Sequence, residues 1–121
     1  MSKILIIEDY PNLQTMYKKA MEAEGYEVWT AKDGDEALSL VQSHEPDLIL
    51  LDLLLPNRGG LEFLRGFNLL GYSHTKVIVM SNMSSPELLS EAKDLGVSQY
   101  LVKVEHTPKQ VAEIIKSTLA S

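Results

Sequence analysis

The sequence contains no cysteine among its 121 residues, which excludes a disulfide framework and a thiolate metal site. It has no apolar run near the roughly 20 residues that a membrane-spanning helix needs. Basic residues are outnumbered, and the net charge of −6 disfavours direct binding to nucleic acid phosphates. The N-terminal MSKILIIED lacks the apolar core length and cleavage site of a signal peptide. These absences favour a soluble, cytoplasmic protein, and the length of 121 residues fits one domain over residues 1–121.

What the sequence does contain is a regular alternation of apolar runs and amphipathic helical segments. The predicted strands cover residues 3–7, 27–31, 48–52, 76–80 and 99–102. The helical segments between them begin at Pro11, Asp33, about Leu61, Ser85-Pro86 and Thr107-Pro108. Five strands in alternation with five helices predict a parallel α/β sheet that is covered by helices on both faces.

Polar side chains stand at or just beyond the ends of four of these strands. The set consists of Glu8, Asp9, Asp52, Ser81 and Lys103. Because the carboxyl ends of parallel strands share one edge of a sheet, we expect these side chains to converge there. Neighbouring carboxylates repel one another unless a cation neutralises them, and hard oxygen ligands favour Mg²⁺ over zinc.

This set of groups is suited to phosphoryl transfer. The carboxylate of Asp52 can attack phosphorus to form an acyl phosphate, and Asp9 can bind the metal with support from Glu8. Ser81 offers a hydroxyl to a phosphoryl oxygen, and Lys103 offers a positive charge. Each residue alone would be an ordinary cap, loop acid or surface side chain, so the prediction depends on their joint placement.

The remaining aromatic and histidine residues are interpreted as structural. Trp29 is expected to pack in the core or on the surface, and the histidines are treated as ordinary loop residues. These histidines are His44, His74 and His106.

The pattern resembles the receiver domain of two-component response regulators over essentially the whole chain. The matching residues are Glu8-Asp9 after KILII, Asp52 in LILLDLLLP, Gly60, Ser81 in VIVMS and Lys103 in QYLVK. The resemblance implies a flavodoxin-like doubly wound sheet with strand order 2-1-3-4-5. It also implies a sensor histidine kinase or a histidine phosphotransfer protein as phosphoryl donor. Mg²⁺ would be held by Asp9, Asp52 and the backbone carbonyl of Leu54. The domain would catalyse only its own phosphorylation and dephosphorylation, so it is not expected to be a turnover enzyme.

By the same resemblance, Ser81 and Tyr100 form an activation switch. The hydroxyl moves toward the phosphoryl group and the aromatic ring rotates into the space that it leaves. This movement would reshape the surface of the fourth helix, fifth strand and fifth helix, which is the expected surface for an unidentified downstream protein target and a candidate surface for a homodimer. The alternative for Tyr100 is ordinary packing within a strand.

Three positions depart from the family pattern. Val104 stands where proline usually follows the lysine, Asn82 where the residue is usually small, and Gly59 where an acid or small polar residue often precedes Gly60. A cis bond before a residue other than proline costs ~2.5–4 kcal/mol, so we expect a trans Lys103–Val104 bond and a shifted loop.

Two further positions bear on the lifetime of an aspartyl phosphate. In receivers, the side chains two positions after the acceptor and two after the switch hydroxyl flank the approach of water, and here they are Leu54 and Met83. Neither can form a useful hydrogen bond to water, so slow self-hydrolysis is expected.

Three other functions fit the same residues less well. A phosphorylation-independent protein-binding module on the same fold would have lost the acceptor or the acid pair, and both are present. An aspartate-nucleophile phosphatase carries a second acid two residues after the nucleophile, where this chain has Leu54. A flavodoxin-type redox carrier would need a Ser/Thr/Gly-rich first loop, which is missing. The receiver is favoured, and the protein-binding module stays as the alternative.

Overall fold

A five-stranded parallel sheet forms the centre of the structure, a computed structural model that describes residues 2–55, 59–82 and 86–120. The strands are β1 (Lys3–Ile7), β2 (Glu27–Ala31), β3 (Leu48–Asp52), β4 (Lys76–Ser81) and β5 (Gln99–Val102). They are arranged in the order β2-β1-β3-β4-β5. The predicted fold class and strand order are confirmed, and β4 is one residue longer than predicted.

Within the described ranges, four α-helices connect the strands and a fifth follows β5, as the alternation predicts. They are α1 (Pro11–Ala23), α2 (Gly34–His44), α3 (Gly60–Leu69), α4 (Pro86–Asp94) and α5 (Pro108–Leu119). Asp33 caps α2 by accepting the backbone N–H of Glu36 at 2.9 Å. Thr107 and Gln110 form a reciprocal capping box at the start of α5. The predicted cap Ser85 lies outside the described residues.

A short 3₁₀ helix over Lys103–Glu105 was not predicted, because three residues leave no periodic signal in the sequence. It joins β5 to the loop before α5, and it carries the lysine of the predicted site. We refer to it below as the lysine turn.

The alternating side chains of the strands build two separate hydrophobic layers. Leu5, Ile49 and Val77 face a layer that includes Phe63 of α3. Their neighbours in sequence face the opposite layer, which includes residues of α1 and α5; this layer is built around Ile4, Leu48, Ile78, Met21 and Ile115. Because β3 is buried along its whole length, its polar last residue can meet other polar groups only at the edge of the sheet.

The position of His44 differs from the one predicted from the sequence. His44 lies in the last turn of α2, so its assignment to a loop is wrong. Its ring stacks on Trp29 with centroids 4.2 Å apart, and Trp29 itself packs against the hydrophobic core as expected. His74 and His106 do lie in connecting segments. The stack is a packing contact at the side of the sheet.

Gly60 is a position where the fold leaves no space for a side chain. A Cβ at this position would meet Leu53 Cα at 2.6 Å, and the clash is with backbone one residue after Asp52. We expect Gly60→Ala to lower the free energy of unfolding by about 1–3 kcal/mol, because the two segments must move apart. Urea titration gives this quantity.

Gly59→Ala is the matched control for this prediction. A Cβ at Gly59 would meet nothing within 4 Å, and its backbone angle φ of −65° suits alanine. We expect Gly59→Ala to change the free energy of unfolding by less than about 1 kcal/mol. Equal losses in the two variants would show that the close approach to Leu53 is not the cause.

Candidate functional site

Three carboxylates meet at the edge of the sheet where the strands end. Glu8 and Asp9 directly follow β1, and Asp52 is the last residue of β3. Ligand oxygens of all three lie within 4.8 Å of one another. Glu8 and Asp52 are 2% and 6% exposed, while Asp9 is exposed to solvent. The acids that the sequence places at separate strand ends are therefore neighbours in the structure.

Hydrogen bonds just beyond the end of β1 position Glu8 and, with it, the next residue, Asp9. The backbone N–H of Glu8 donates to the carbonyl of Ala31 at 2.9 Å, which continues the pairing of β1 with β2. The Glu8 oxygen Oε2 accepts the N–H of Tyr10 at 3.2 Å, at the start of α1. These contacts turn the Glu8 carboxylate inward, and the next residue, Asp9, stays at the surface.

Lys103 bridges the two buried carboxylates. Its Nζ lies 2.6 Å from Glu8 Oε1 and 2.9 Å from Asp52 Oδ2. The other oxygen of Asp52, Oδ1, accepts the backbone N–H of Leu54 at 3.1 Å. Apart from the ammonium of Lys103, Glu8 Oε1 has no polar partner in the part of the chain that the structure describes. The lysine thus holds both acids from the β5 side of the site.

The burial of these charges changes their proton affinities. Burial raises the pKa of Glu8; the hydrogen bond to Lys103 opposes this effect and the charge of Asp52 adds to it, so the pKa lies above its usual value. For Lys103, burial alone would lower the pKa, but the hydrogen bonds to Glu8 and Asp52 and their negative charges outweigh it, and the pKa is raised. Lys103 is therefore held in its charged form.

The donor set fits a small hard cation. One ammonium faces three carboxylates, so negative charge remains in excess. Asp9 has no ion-pair partner among the residues that the structure describes. All side-chain ligands in the cluster are oxygens, and these are the ligands that Mg²⁺ prefers.

Ser81 and Tyr100 lie on the adjacent strands β4 and β5, on the side of β3 away from β1. Ser81 is the fully buried last residue of β4, the strand that pairs with β3 such that Met80 is opposite Asp52. Tyr100 is half-buried on β5, packs against the hydrophobic core, and lines a groove of about 450 Å³ between α4 and β5. The two residues are placed as the sequence implies, and their switch role stays a prediction.

Two departures from the family pattern contact each other. The Lys103–Val104 bond is trans, as predicted, and no peptide bond in the described ranges is cis. The backbone N–H of Val104 donates to Asn82 Oδ1 at 3.0 Å. Leu54, expected to flank the approach of water, has an exposed side chain, and Met83 lies outside the described residues.

Sequence reasoning missed one side chain that supports the site from α1. Gln14 Nε2 donates to the carbonyls of Glu8 at 3.0 Å and Ala31 at 3.3 Å, and so ties the ends of β1 and β2 together. A signal for it exists in the sequence. Gln14 lies three and seven residues before Tyr17 and Met21, on the helix face where an apolar residue is expected.

Known proteins resemble this chain in sequence and in fold. Residues 4–116 match the family described as the response regulator receiver domain. The chain is 31% identical over 101 residues to the sporulation initiation phosphotransferase F of Bacillus subtilis, with 84% of this chain and 81% of that protein covered. It is 32% identical to the alkaline phosphatase synthesis transcriptional regulatory protein PhoP of the same organism, over 97% of this chain and 48% of PhoP.

Among solved structures, a CheY-like response regulator receiver domain protein from Methanospirillum hungatei superimposes with a TM-score of 0.92 at 29% identity, and 99% of this chain and 94% of that chain are covered. No helix within the described ranges is long and apolar enough to cross a membrane.

Proposed function

Because the chain belongs to the response regulator receiver domain family, we propose that it accepts a phosphoryl group on Asp52 in a two-component phosphorelay. The observation that carries this proposal is the buried Asp52 carboxylate, which lies within 4.8 Å of two other acids and 2.9 Å from the ammonium of Lys103. The donor would be a sensor histidine kinase or a histidine phosphotransfer protein. An oxygen of Asp52 attacks phosphorus, the bond between phosphorus and the donor histidine breaks, and the imidazole leaves.

The other residues of the site would divide the remaining tasks. Asp9, Asp52 and the backbone carbonyl of Leu54 would hold Mg²⁺, with Glu8 in support. When bound, Mg²⁺ would neutralise charge on the transferred phosphoryl oxygens. Lys103 keeps its positive charge next to Asp52 and would pair with a second phosphoryl oxygen. Ser81 would donate its hydroxyl and, with Tyr100, pass the change to the surface of α4, β5 and α5.

The surroundings of the acids suit a protein donor. Three large apolar side chains stand exposed close in sequence to the site: Tyr10, Leu54 and Val104 are 56%, 55% and 79% exposed. They follow Asp9, Asp52 and Lys103 by one or two positions. Exposed apolar side chains around a polar centre are typical of protein interaction sites.

The domain organisation, the target and the location of the protein follow from the same role. Residues 1–121 would form one receiver domain that modifies only itself and does not turn over an external substrate. Its target would be a protein that binds the surface of α4, β5 and α5, and the same surface is the candidate for a homodimer. A cytoplasmic location is part of the proposal and rests on the family.

Incubation with acetyl phosphate and Mg²⁺, followed by intact-mass measurement and peptide mapping, tests the proposal. We expect one phosphoryl addition, mapped to the peptide that contains Asp52. If the folded protein is phosphorylated neither by acetyl phosphate nor by a phosphorylated histidine phosphotransfer protein, the phosphorylation-independent binding module is favoured. Continuous release of phosphate over many turnovers would instead indicate a phosphatase.

The lifetime of the phosphorylated protein should be long for this family. The side chains of Leu54, and of Met83 outside the described residues, are apolar and offer the attacking water no hydrogen bond. We expect the double variant Leu54→Asn, Met83→Glu to lose its phosphoryl group at least about fivefold faster, since one oriented hydrogen bond is worth ~1 kcal/mol or more. Decay is followed by mass spectrometry after removal of the donor, with Leu54→Ile, Met83→Leu as an apolar control. Equal decay of the polar variant and wild type would contradict apolar shielding.

A further inference from the structure

A side-chain hydrogen bond links the two segments that leave β4 and β5. Asn82 follows Ser81, and Val104 follows Lys103. The N–H of Val104 donates to Asn82 Oδ1 at 3.0 Å, across 22 positions of sequence. The last paired positions of the two strands are Ser81 and Val102, so this bond lies directly beyond the end of the ladder.

The lysine turn needs an acceptor at this point. The first N–H groups of any helical turn have no partner within the turn, and Val104 is the second residue of Lys103–Glu105. The Asn82 amide oxygen satisfies this N–H. At its far side the turn is closed by His106, whose N–H donates to the carbonyl of Lys103 at 3.3 Å. The His106 ring nitrogen Nδ1 lies 3.0 Å from the carbonyl of Val102.

The side chain that projects from this turn is the one that reaches the acids. The Nζ of Lys103 lies 2.6 Å from Glu8 Oε1 and 2.9 Å from Asp52 Oδ2, so a shift of the turn moves the ammonium relative to both carboxylates. Asn82 directly follows Ser81, whose side chain is buried. The Asn82–Val104 bond thus connects the neighbours of the two groups that are proposed to contact the phosphoryl oxygens.

We propose that Asn82 is a positioning residue that acts through the Val104 N–H to hold the lysine turn in register with Ser81 during phosphoryl transfer. This inference rests on the proposed function of the site. Asn82 does not touch the reacting atoms; its role is to keep the Lys103 ammonium at the acceptor. Loss of the bond should lower the rate of phosphorylation and leave Mg²⁺ affinity unchanged, because the carboxylates themselves are not altered.

The experiment measures the phosphorylation rate constant with acetyl phosphate at saturating Mg²⁺ in four variants. Asn82→Ala removes the acceptor, Val104→Pro removes the donor, the double variant removes both, and Glu105→Gln changes an exposed residue of the same turn as a matched control. We expect Asn82→Ala to be about two- to tenfold slower than wild type, the range that one net hydrogen bond gives. Val104→Pro serves only as the background without the N–H, because proline also restricts the backbone of Lys103 before it. In the Val104→Pro background, Asn82→Ala should cause no further slowing, and Glu105→Gln should equal wild type.

Two further measurements separate positioning from a general loss of structure. Hydrogen exchange by NMR should show faster exchange of the Val104 N–H in Asn82→Ala, and an NMR titration with Mg²⁺ alone should give the same Kd as wild type. Both residues are exposed, so thermal melting should remain close to wild type.

Different results would contradict the role of Asn82 and the proposed function of the site. If wild type takes up no phosphoryl group, the function of the site is wrong. If wild type is phosphorylated and Asn82→Ala is equally fast, or if the effects of the single variants multiply in the double variant, the positioning role of Asn82 is refuted. A weakened Mg²⁺ affinity in Asn82→Ala would also refute it, because the residue would then act on the acids.

Discussion

Asp52→Asn should abolish phosphorylation of the chain while its fold is retained. The amide is nearly isosteric with the carboxylate, and its oxygen can still accept the N–H of Leu54 that now binds Asp52 Oδ1 at 3.1 Å. It has no anionic oxygen to attack phosphorus, so the loss should be complete rather than partial. Lys103 loses one partner but keeps the ion pair with Glu8 at 2.6 Å. Intact-mass measurement after incubation with acetyl phosphate and Mg²⁺ gives the result directly.

Asp94→Asn is the matched control for the acceptor variant. It makes the same chemical change at an exposed position at the end of α4, away from the acidic cluster. We expect Asp94→Asn to be phosphorylated as fast as wild type. Robust labelling of Asp52→Asn at another residue would show that the wrong nucleophile had been chosen, and circular dichroism confirms that the compared proteins are folded.

Asp9→Ala should weaken Mg²⁺ binding about 100-fold or more. Loss of a group that only orients a metal ligand typically costs about 10–100-fold in affinity, and Asp9 is proposed to be a direct ligand. It is also the exposed member of the three acids, in contrast to Glu8 and Asp52, which are both engaged by Lys103. A titration with Mg²⁺ followed by NMR or calorimetry measures the affinity.

The same variant should lose the stabilisation that Mg²⁺ gives to the folded state. With free Mg²⁺ at about 100 times Kd, wild type should gain ~2.7 kcal/mol in unfolding free energy, and Asp9→Ala should gain much less. Glu22→Ala removes an equal charge from an exposed position on α1, so it controls for net charge. Unchanged metal affinity in Asp9→Ala would mean that the acidic cluster is structural.

The electrostatics of the acidic site explain why a metal and a lysine are both expected there. Glu8 and Asp52 are almost fully buried, and two buried carboxylates destabilise a fold unless they are compensated. The ammonium of Lys103 compensates them in the structure, at 2.6 Å and 2.9 Å. During phosphoryl transfer the ammonium of Lys103 would also have to pair with the phosphoryl oxygens. A second cation, Mg²⁺, would then be needed to neutralise the carboxylates.

The fold could be predicted from the sequence because its signals are local and periodic. Apolar runs such as KILII and LILLD have the length and β-branched character of buried strands, and the prolines at 11, 86 and 108 stand in the first turns of their helices. The convergence of the strand ends follows from parallel topology alone. The sequence was wrong about His44, because Pro46 limits the end of α2 without fixing its last helical residue.

The sequence by itself thus determined the fold class, the strand order by way of the family resemblance, and the set of residues that could form the site. Only the tertiary structure decided how these residues are paired: that Lys103 bridges Glu8 and Asp52, that Gln14 ties the ends of β1 and β2, and that the unusual residues Asn82 and Val104 are partners. The physical reason is one of range. Hydrophobic periodicity and capping act within one element of the chain, whereas an ion pair or a hydrogen bond between different elements depends on distances of about 3 Å that only the packed sheet sets.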